Sequence, residues 1–395
     1  MLILSEDFVM QNGGIPSKPK RVGVFSSVNW NRVGLFFSPV AVAIAIRVLG
    51  AAWLFHVLSP GGTFHTPWMD SNPNMIPARW NWLWLFNAWD SLQFTRIAMF
   101  GYTHPNYVYL PGYPILILFA GWLTGDDWFG AFLVTQIFAL GSIVVFQLLA
   151  EQYMKPEEAL CASLLMSAFP FISVFTTLSY SEPVFLFSTL ATWYLYKKGR
   201  FRSSSVLAGL ASVTRIYGLA IILPMFFDSV KLKRYRRLYC LTIPAASLCS
   251  WLLYCYFSTG DWLVSWTDER YWQRGGVGDG IKIFQAISQH GIQGLVSCCA
   301  GLDPTIFWAL SLFVILIVIC WRIDRSLWIY AVTVSGLLVF TTTYYVSLLR
   351  YLAFIFPLWL GIRVRNTLVV AVCILALVPM IMIVWLYTIA VTFVG

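Results

Sequence analysis

Charge is what this sequence has least of. Only 11% of its 395 residues are Asp, Glu, Lys or Arg, less than half the roughly 25% usual for soluble domains. No polar stretch is long enough for a soluble nucleotide-binding domain, and there is no Walker loop and no G-x-G-x-x-G opening a helix after a strand. The four histidines make no H-E-x-x-H or other spaced ligand set. The eight cysteines are scattered, without a C-x-x-C pair. Most sit in apolar runs, where Cys is a small filler. These spacings argue against metal or redox chemistry through Cys and imply no cofactor, while leaving a divalent metal open. No inverted repeat relates the two halves, which weighs against a transporter or a flippase.

What is abundant is apolar. Hydrophobic residues make up 59% of the chain and the mean hydropathy is +0.74. Many runs approach or exceed the roughly 18 residues needed to cross a bilayer. This is a multi-pass membrane protein. The 17% of aromatic residues suits interfacial belts. The first run, residues 34–58, follows Lys18, Lys20, Arg21 and Arg32 and is too long for a signal-peptide core, so it reads as a retained anchor. Residues 1–33 then form a cytoplasmic tail. The net charge of +9 resides in short clusters, "KKGRFR", "KLKRYRR", "RIDR" and "RVR", which are assigned to the cytoplasm and not to nucleic acid.

Helices are expected at 34–58, 128–150, 158–178, 183–197, 204–215, 217–230, 238–257, 304–321, 327–346, 350–361 and 367–393, about eleven whole or half spans in one domain. That leaves external loops at 59–127 and 258–303. The run 115–123 is too short to cross and reads as re-entrant. The segment 204–230 starts and ends at basic clusters, so it enters and returns through a break near Arg215 and Gly218.

Several polar residues stand out. Asp90, in "NAWDSLQFTR", suits a helix N-cap, a functional carboxylate, or both. Glu182, in "LSYSEPVF", could cap the helix opened by Pro183. Arg215, at a break in an apolar segment, is expensive there; it faces either a cavity with an anionic partner or a structural ion pair. Arg350 could snorkel. Arg47, deep in the first run, has no assigned role. External acids above intramembrane arginines suit an anionic lipid whose headgroup meets an acceptor at the surface. Arginine matches phosphate and a carboxylate can deprotonate a hydroxyl.

The order of these pieces resembles the PIG-V family of membrane mannosyltransferases. "WDSLQFTRIAMFGYTH" followed by "YLPGYP" is similar to that family's Trp-Asp and aromatic-Pro blocks, "SYSEPVF" to its Tyr-Ser-Glu turn, and "ASVTRIYGL" to its Arg-x-x-Gly hinge. The resemblance implies an all-α polytopic membrane fold of GT-C type. It implies transfer of a sugar, mannose by family habit, from a polyprenyl (dolichyl) phosphate donor to a glycolipid or glycan acceptor, with inversion. It places the site on the non-cytoplasmic face, of the plasma membrane in a prokaryote or the endoplasmic reticulum in a eukaryote. Asp90 would be the general base and Glu182 its neighbour. Arg215 and Arg350 would hold the lipid phosphate. Arg96, His104 and Tyr180, inside the same blocks, complete the substrate-binding candidates.

Overall fold

The computed structural model describes residues 30–59, 81–272, 285, 288–291, 293, 304–341 and 345–393. Most of the expected tail and parts of both expected external loops lie outside them. The described residues are all-α, without a strand. Four segments, Gly34–Leu58, Asp127–Ala150, Tyr235–Thr259 and Thr367–Ala390, are long and apolar enough to cross a membrane, and the protein is a membrane protein.

Helix α1 is Trp30–Leu58. After a 3-10 turn at Asn81–Phe86 come α2 (Asp90–Phe100), α3 (Gly112–Thr124) and α4 (Asp127–Ala150). At 13 residues α3 is about 20 Å long, too short for a hydrocarbon core about 30 Å thick. Gly125 closes it in the left-handed conformation at φ 75°, which only glycine adopts without cost. Asp126 then caps α4, its Oδ1 accepting from the Phe129 N–H at 2.8 Å. The two helices press together through glycines, since a Cβ on Gly130 would stand 2.6 Å from the Gly121 nitrogen. The expected re-entrant run is thus one arm of a tight hairpin.

The continuous helix expected over 158–178 is broken into α5 (Pro156–Ala168) and α6 (Pro170–Phe175). Pro170 lacks the N–H that would continue the ladder, and Phe169 before it is extended. Helix α7 (Glu182–Lys197) packs on α4 and on α8 (Phe201–Thr214). The expected break follows: Arg215 is extended at φ −147°, ψ 138°, Ile216–Ile221 form a 3-10 turn, and α9 is Ile222–Lys231. A Cβ on Gly218 would fall 2.0 Å from the Ala211 carbonyl oxygen, so glycine lets the chain fold back on α8.

Beyond a 3-10 turn at Tyr235–Leu241 come α10 (Thr242–Thr259), α11 (Val264–Tyr271), α12 (Pro304–Ile323), α13 (Arg325–Thr341), α14 (Tyr345–Ala353) and α15 (Thr367–Phe393). The helix expected at 350–361 is replaced by the end of α14 and a 3-10 turn at Phe356–Gly361. Pro357 disfavours helix in the residue before it. Arg350 therefore sits two-thirds of the way along a short helix.

Three ties register the site. The Trp385 indole N–H donates to the Leu85 carbonyl at 2.9 Å, and the Ser179 N–H to the Phe86 carbonyl at 2.7 Å. Gly112 lies against Thr214, where a Cβ would come within 2.6 Å of Oγ1. The loop bearing Asp90, the turn before Glu182 and the end of α8 are thereby held at one level.

Candidate active site

Asp90 begins α2 after Trp89, whose φ of 50° and ψ of −116° are those of the first corner of a type II′ turn, ordinarily a glycine position. The turn closes with the Ser91 N–H donating to the Ala88 carbonyl at 3.1 Å. A non-glycine residue held there is strained, and such strain gathers at functional sites. The result is divergence: the Trp89 ring is exposed while Asp90 is buried.

The Asp90 carboxylate reaches groups far from its own helix. Its Oδ1 accepts from the Tyr109 hydroxyl at 3.1 Å, and its Oδ2 lies 3.1 Å from Arg350 Nη2. Arg350 Nε donates in turn to Glu182 Oε1. The same Oε1 lies 2.7 Å from Arg215 Nη2, and Arg215 Nε donates to Ser181 Oγ at 3.2 Å. Two carboxylates and two guanidinium groups thus alternate in one chain of contacts, with formal charges that cancel. Glu182 is 1% exposed, and its Oε2 has no hydrogen-bond partner among the described residues. A buried carboxylate oxygen without a partner is costly.

Aromatic faces hold the cations. The Arg350 guanidinium lies 4.5 Å from the Phe175 ring centre, 4.6 Å from Tyr180 and 5.0 Å from Tyr351. Arg215 lies 4.7 Å from Tyr351. Cation–π contacts of this kind strengthen when desolvated. Arg350, itself 7% exposed, is a central member and not a snorkelling side chain.

Of the residues singled out in the sequence, Asp90, Tyr180, Glu182, Arg215 and Arg350 converge. Arg96 does not; it is exposed on α2. His104 does not either: its Nδ1 lies 2.9 Å from Asp268 Oδ1, joining the loop to α11 beside the Tyr107 ring. Tyr109 and Phe175 had not been singled out. Tyr109 opens the quoted "YLPGYP" block, and Tyr351 follows Arg350 directly; Phe175 carried no such signal. Among the described residues no group of His, Cys, Asp and Glu gathers as metal ligands.

A helical membrane protein with a buried acid–arginine cluster at the end of a broken helix is the class so defined. The sequence profile of glycosyltransferase family 87 matches residues 107–342, more than half of the 395-residue chain, and the chain belongs to that family. The matched span contains Tyr180, Glu182 and Arg215; Asp90 precedes it and Arg350 follows it. No curated protein matches the chain. Among solved structures it is similar to ArnT from Cupriavidus metallidurans bound to undecaprenyl phosphate, at 15% identity and a TM-score of 0.49 over 85% of this chain and 60% of that one. It is also similar to the Archaeoglobus fulgidus oligosaccharyltransferase, at 14% identity and a TM-score of 0.41 over 88% of this chain and 52% of that one. The chain thus spans less than two thirds of either protein.

Proposed function

We propose that this chain is a multi-pass membrane glycosyltransferase of GT-C type. It moves a sugar from a polyprenyl-phosphate donor to a glycolipid or glycan acceptor on the non-cytoplasmic face. Mannose is the sugar favoured by the PIG-V-like blocks. The observation that carries the reading is the alternating Asp90–Arg350–Glu182–Arg215 contact inside a glycosyltransferase family member.

Asp90 is the general base. It takes the proton of the acceptor hydroxyl as that oxygen bonds to the anomeric carbon. The bond from that carbon to the donor phosphate breaks on the opposite face, giving inversion. The polyprenyl phosphate leaves with the electron pair and gains negative charge. Protonation of Asp90 weakens its pair with Arg350 at that moment. Arg350, still held by Glu182, can then turn its charge toward the departing phosphate, with Arg215 beside it. Proton uptake at the base and charge stabilisation at the leaving group are thus linked through one guanidinium. A phosphate so stabilised needs no acid to protonate it.

The test is transfer of labelled sugar from a polyprenyl phosphate to membrane glycolipids by the purified, reconstituted protein. Asp90→Asn keeps the shape and the Tyr109 contact but removes the proton acceptor, and the rate is expected to fall about 10²- to 10⁴-fold in a protein that still folds, with a lowered melting temperature because Arg350 loses a buried charge partner. Transfer at the wild-type rate by this variant would sink the mechanism.

A further inference from the structure

Asp90 accepts a hydrogen bond from Tyr109, a residue of the segment that joins α2 to α3. That segment contains one 3-10 turn, Asn106–Val108, which closes with the Tyr109 N–H donating to the Asn106 carbonyl at 3.1 Å. The first N–H groups of a helical turn have no partner within it. One of them, from Tyr107, donates to Asp268 Oδ2 at 3.2 Å, 161 residues further along the chain.

Asp268 lies on α11 and is buried, 7% exposed. Both of its oxygens meet the same segment, since Oδ1 lies 2.9 Å from His104 Nδ1. Trp272, one helical turn on, donates its indole N–H to the Pro105 carbonyl at 2.9 Å. Two side chains from α11 and its end thus grip His104, Pro105 and Tyr107. The Tyr102 hydroxyl adds a bond to the Tyr109 carbonyl at 2.8 Å, and the Tyr102 ring rests on Trp251 of α10. The Tyr109 ring meets Phe94 of α2 at 4.9 Å between centres and Trp272 at 6.1 Å. A carboxylate held out of water is costly without its partners, so Asp268 tolerates little movement of the turn. The two stretches expected as external loops, 59–127 and 258–303, meet at this residue.

We infer that Asp268 is a positioning residue for the transfer: by fixing the 3-10 turn it sets the Tyr109 hydroxyl on Asp90 and so orients the base. The inference rests on Asp90 as that base. The path is short, because Asp268 holds Tyr107, the turn closes on Tyr109, and Tyr109 donates to Asp90. The terminal torsion of an aspartate is broad. Without the tyrosine bond the Asp90 carboxylate loses one of its anchors and samples orientations turned away from the acceptor.

The test is a double-mutant cycle on the reconstituted full-length protein, followed by transfer of labelled sugar. Asp268→Ala should lower kcat about fivefold, as loss of the Tyr109 hydroxyl bond does, with the Michaelis constant for the donor unchanged. In the Tyr109→Phe background the same substitution should lower kcat no further, because the bond it acts through is already gone. Asp268→Asn keeps an oxygen for the Tyr107 N–H and should restore most of the kcat lost in Asp268→Ala. Losses that multiply in the double variant, to roughly 25-fold, would make Asp268 merely structural and overturn the inference. So would a wild-type kcat in folded Asp268→Ala. If Asp268→Ala misfolds, Trp272→Phe, which frees the Pro105 carbonyl and keeps a ring, replaces it in the cycle with the same expectations. If Asp90→Asn transfers at the wild-type rate, the proposed reaction fails separately and the cycle is read by melting. The destabilisations of Asp268→Ala and Tyr109→Phe should then sum to more than the double variant shows, and strict additivity overturns the inference.

Discussion

Two of the acid–base networks among the described residues sit at opposite ends of α7, and they are built differently. At the far end of α7 from Glu182, Lys197 Nζ lies 3.2 Å from Asp228 and 3.6 Å from Asp324. Arg237 lies 3.6 Å from Asp228. Asp324 is also anchored to the backbone, its Oδ1 accepting from the Ser326 N–H at 2.9 Å at the start of α13. The Tyr153 hydroxyl donates to its Oδ2 at 3.1 Å. This network lies against a polar pocket of about 480 Å³, and its lysine is 28% exposed. At the other end the cluster around Glu182 is deeper and leaves one carboxylate oxygen idle. A network meant only to hold helices together can use helix ends and water. One meant to receive a substrate keeps unspent capacity, and burial makes that capacity costly. On the proposed function, the first is structural and the second chemical.

That contrast can be broken by substitution, and the largest effect is expected at Arg350. Arg350→Met strips both Asp90 and Glu182 of a buried partner, and removing one side of a buried pair costs about 3–5 kcal/mol. The melting temperature should drop sharply and transfer should be lost. If the variant melts like wild type, the buried pairs of Arg350 with Asp90 and Glu182 do not form.

Next comes the hinge. Gly218→Ala puts a methyl group against the Ala211 carbonyl, an overpacking worth about 1–3 kcal/mol. Because the strain displaces Arg215, the Michaelis constant for the lipid donor should rise; a change confined to the acceptor would contradict the phosphate role of that arginine. Arg215→Ala should weaken donor use in the same direction while leaving the chain folded.

A smaller effect belongs to Tyr109. Tyr109→Phe removes one hydroxyl bond to Asp90, a loss of about 1 kcal/mol or roughly fivefold in rate. The change should appear in kcat, with donor affinity unaltered. Smallest of all for catalysis is Asp228→Asn in the opposite network. It should lower stability by about 1–3 kcal/mol, because Asp228 is itself buried although its Lys197 partner reaches water. Transfer should continue at the wild-type rate, and a loss of activity there would erase the distinction between the two networks.

Composition and apolar run length made the membrane class legible, and the end of α4, the whole of α7 and the start of α15 fall within a residue of the positions read from the sequence. The break near Arg215 was legible from the basic clusters at both ends of 204–230, which require that segment to enter and return. The break at Pro170 was as visible but was read through. Asp90 remained divided between cap and catalyst because both uses call for a carboxylate at the first turn of a helix.

What the sequence determined by itself is local or summed: how apolar each run is, where proline and glycine interrupt it, and which few charged residues lie inside. What only the tertiary structure decided is which charges meet. Asp90 and Arg350 are 260 residues apart, and Glu182 joins them by accepting from two arginines on different elements. Hydropathy is a property of neighbours along the chain, and sequence shows it. A buried ion pair forms only where packing brings two distant groups within a few ångströms in a dry interior. In this chain the packing that does so rests on Gly112, Gly218 and a strained Trp89, residues that hold the site in place and bear no charge themselves.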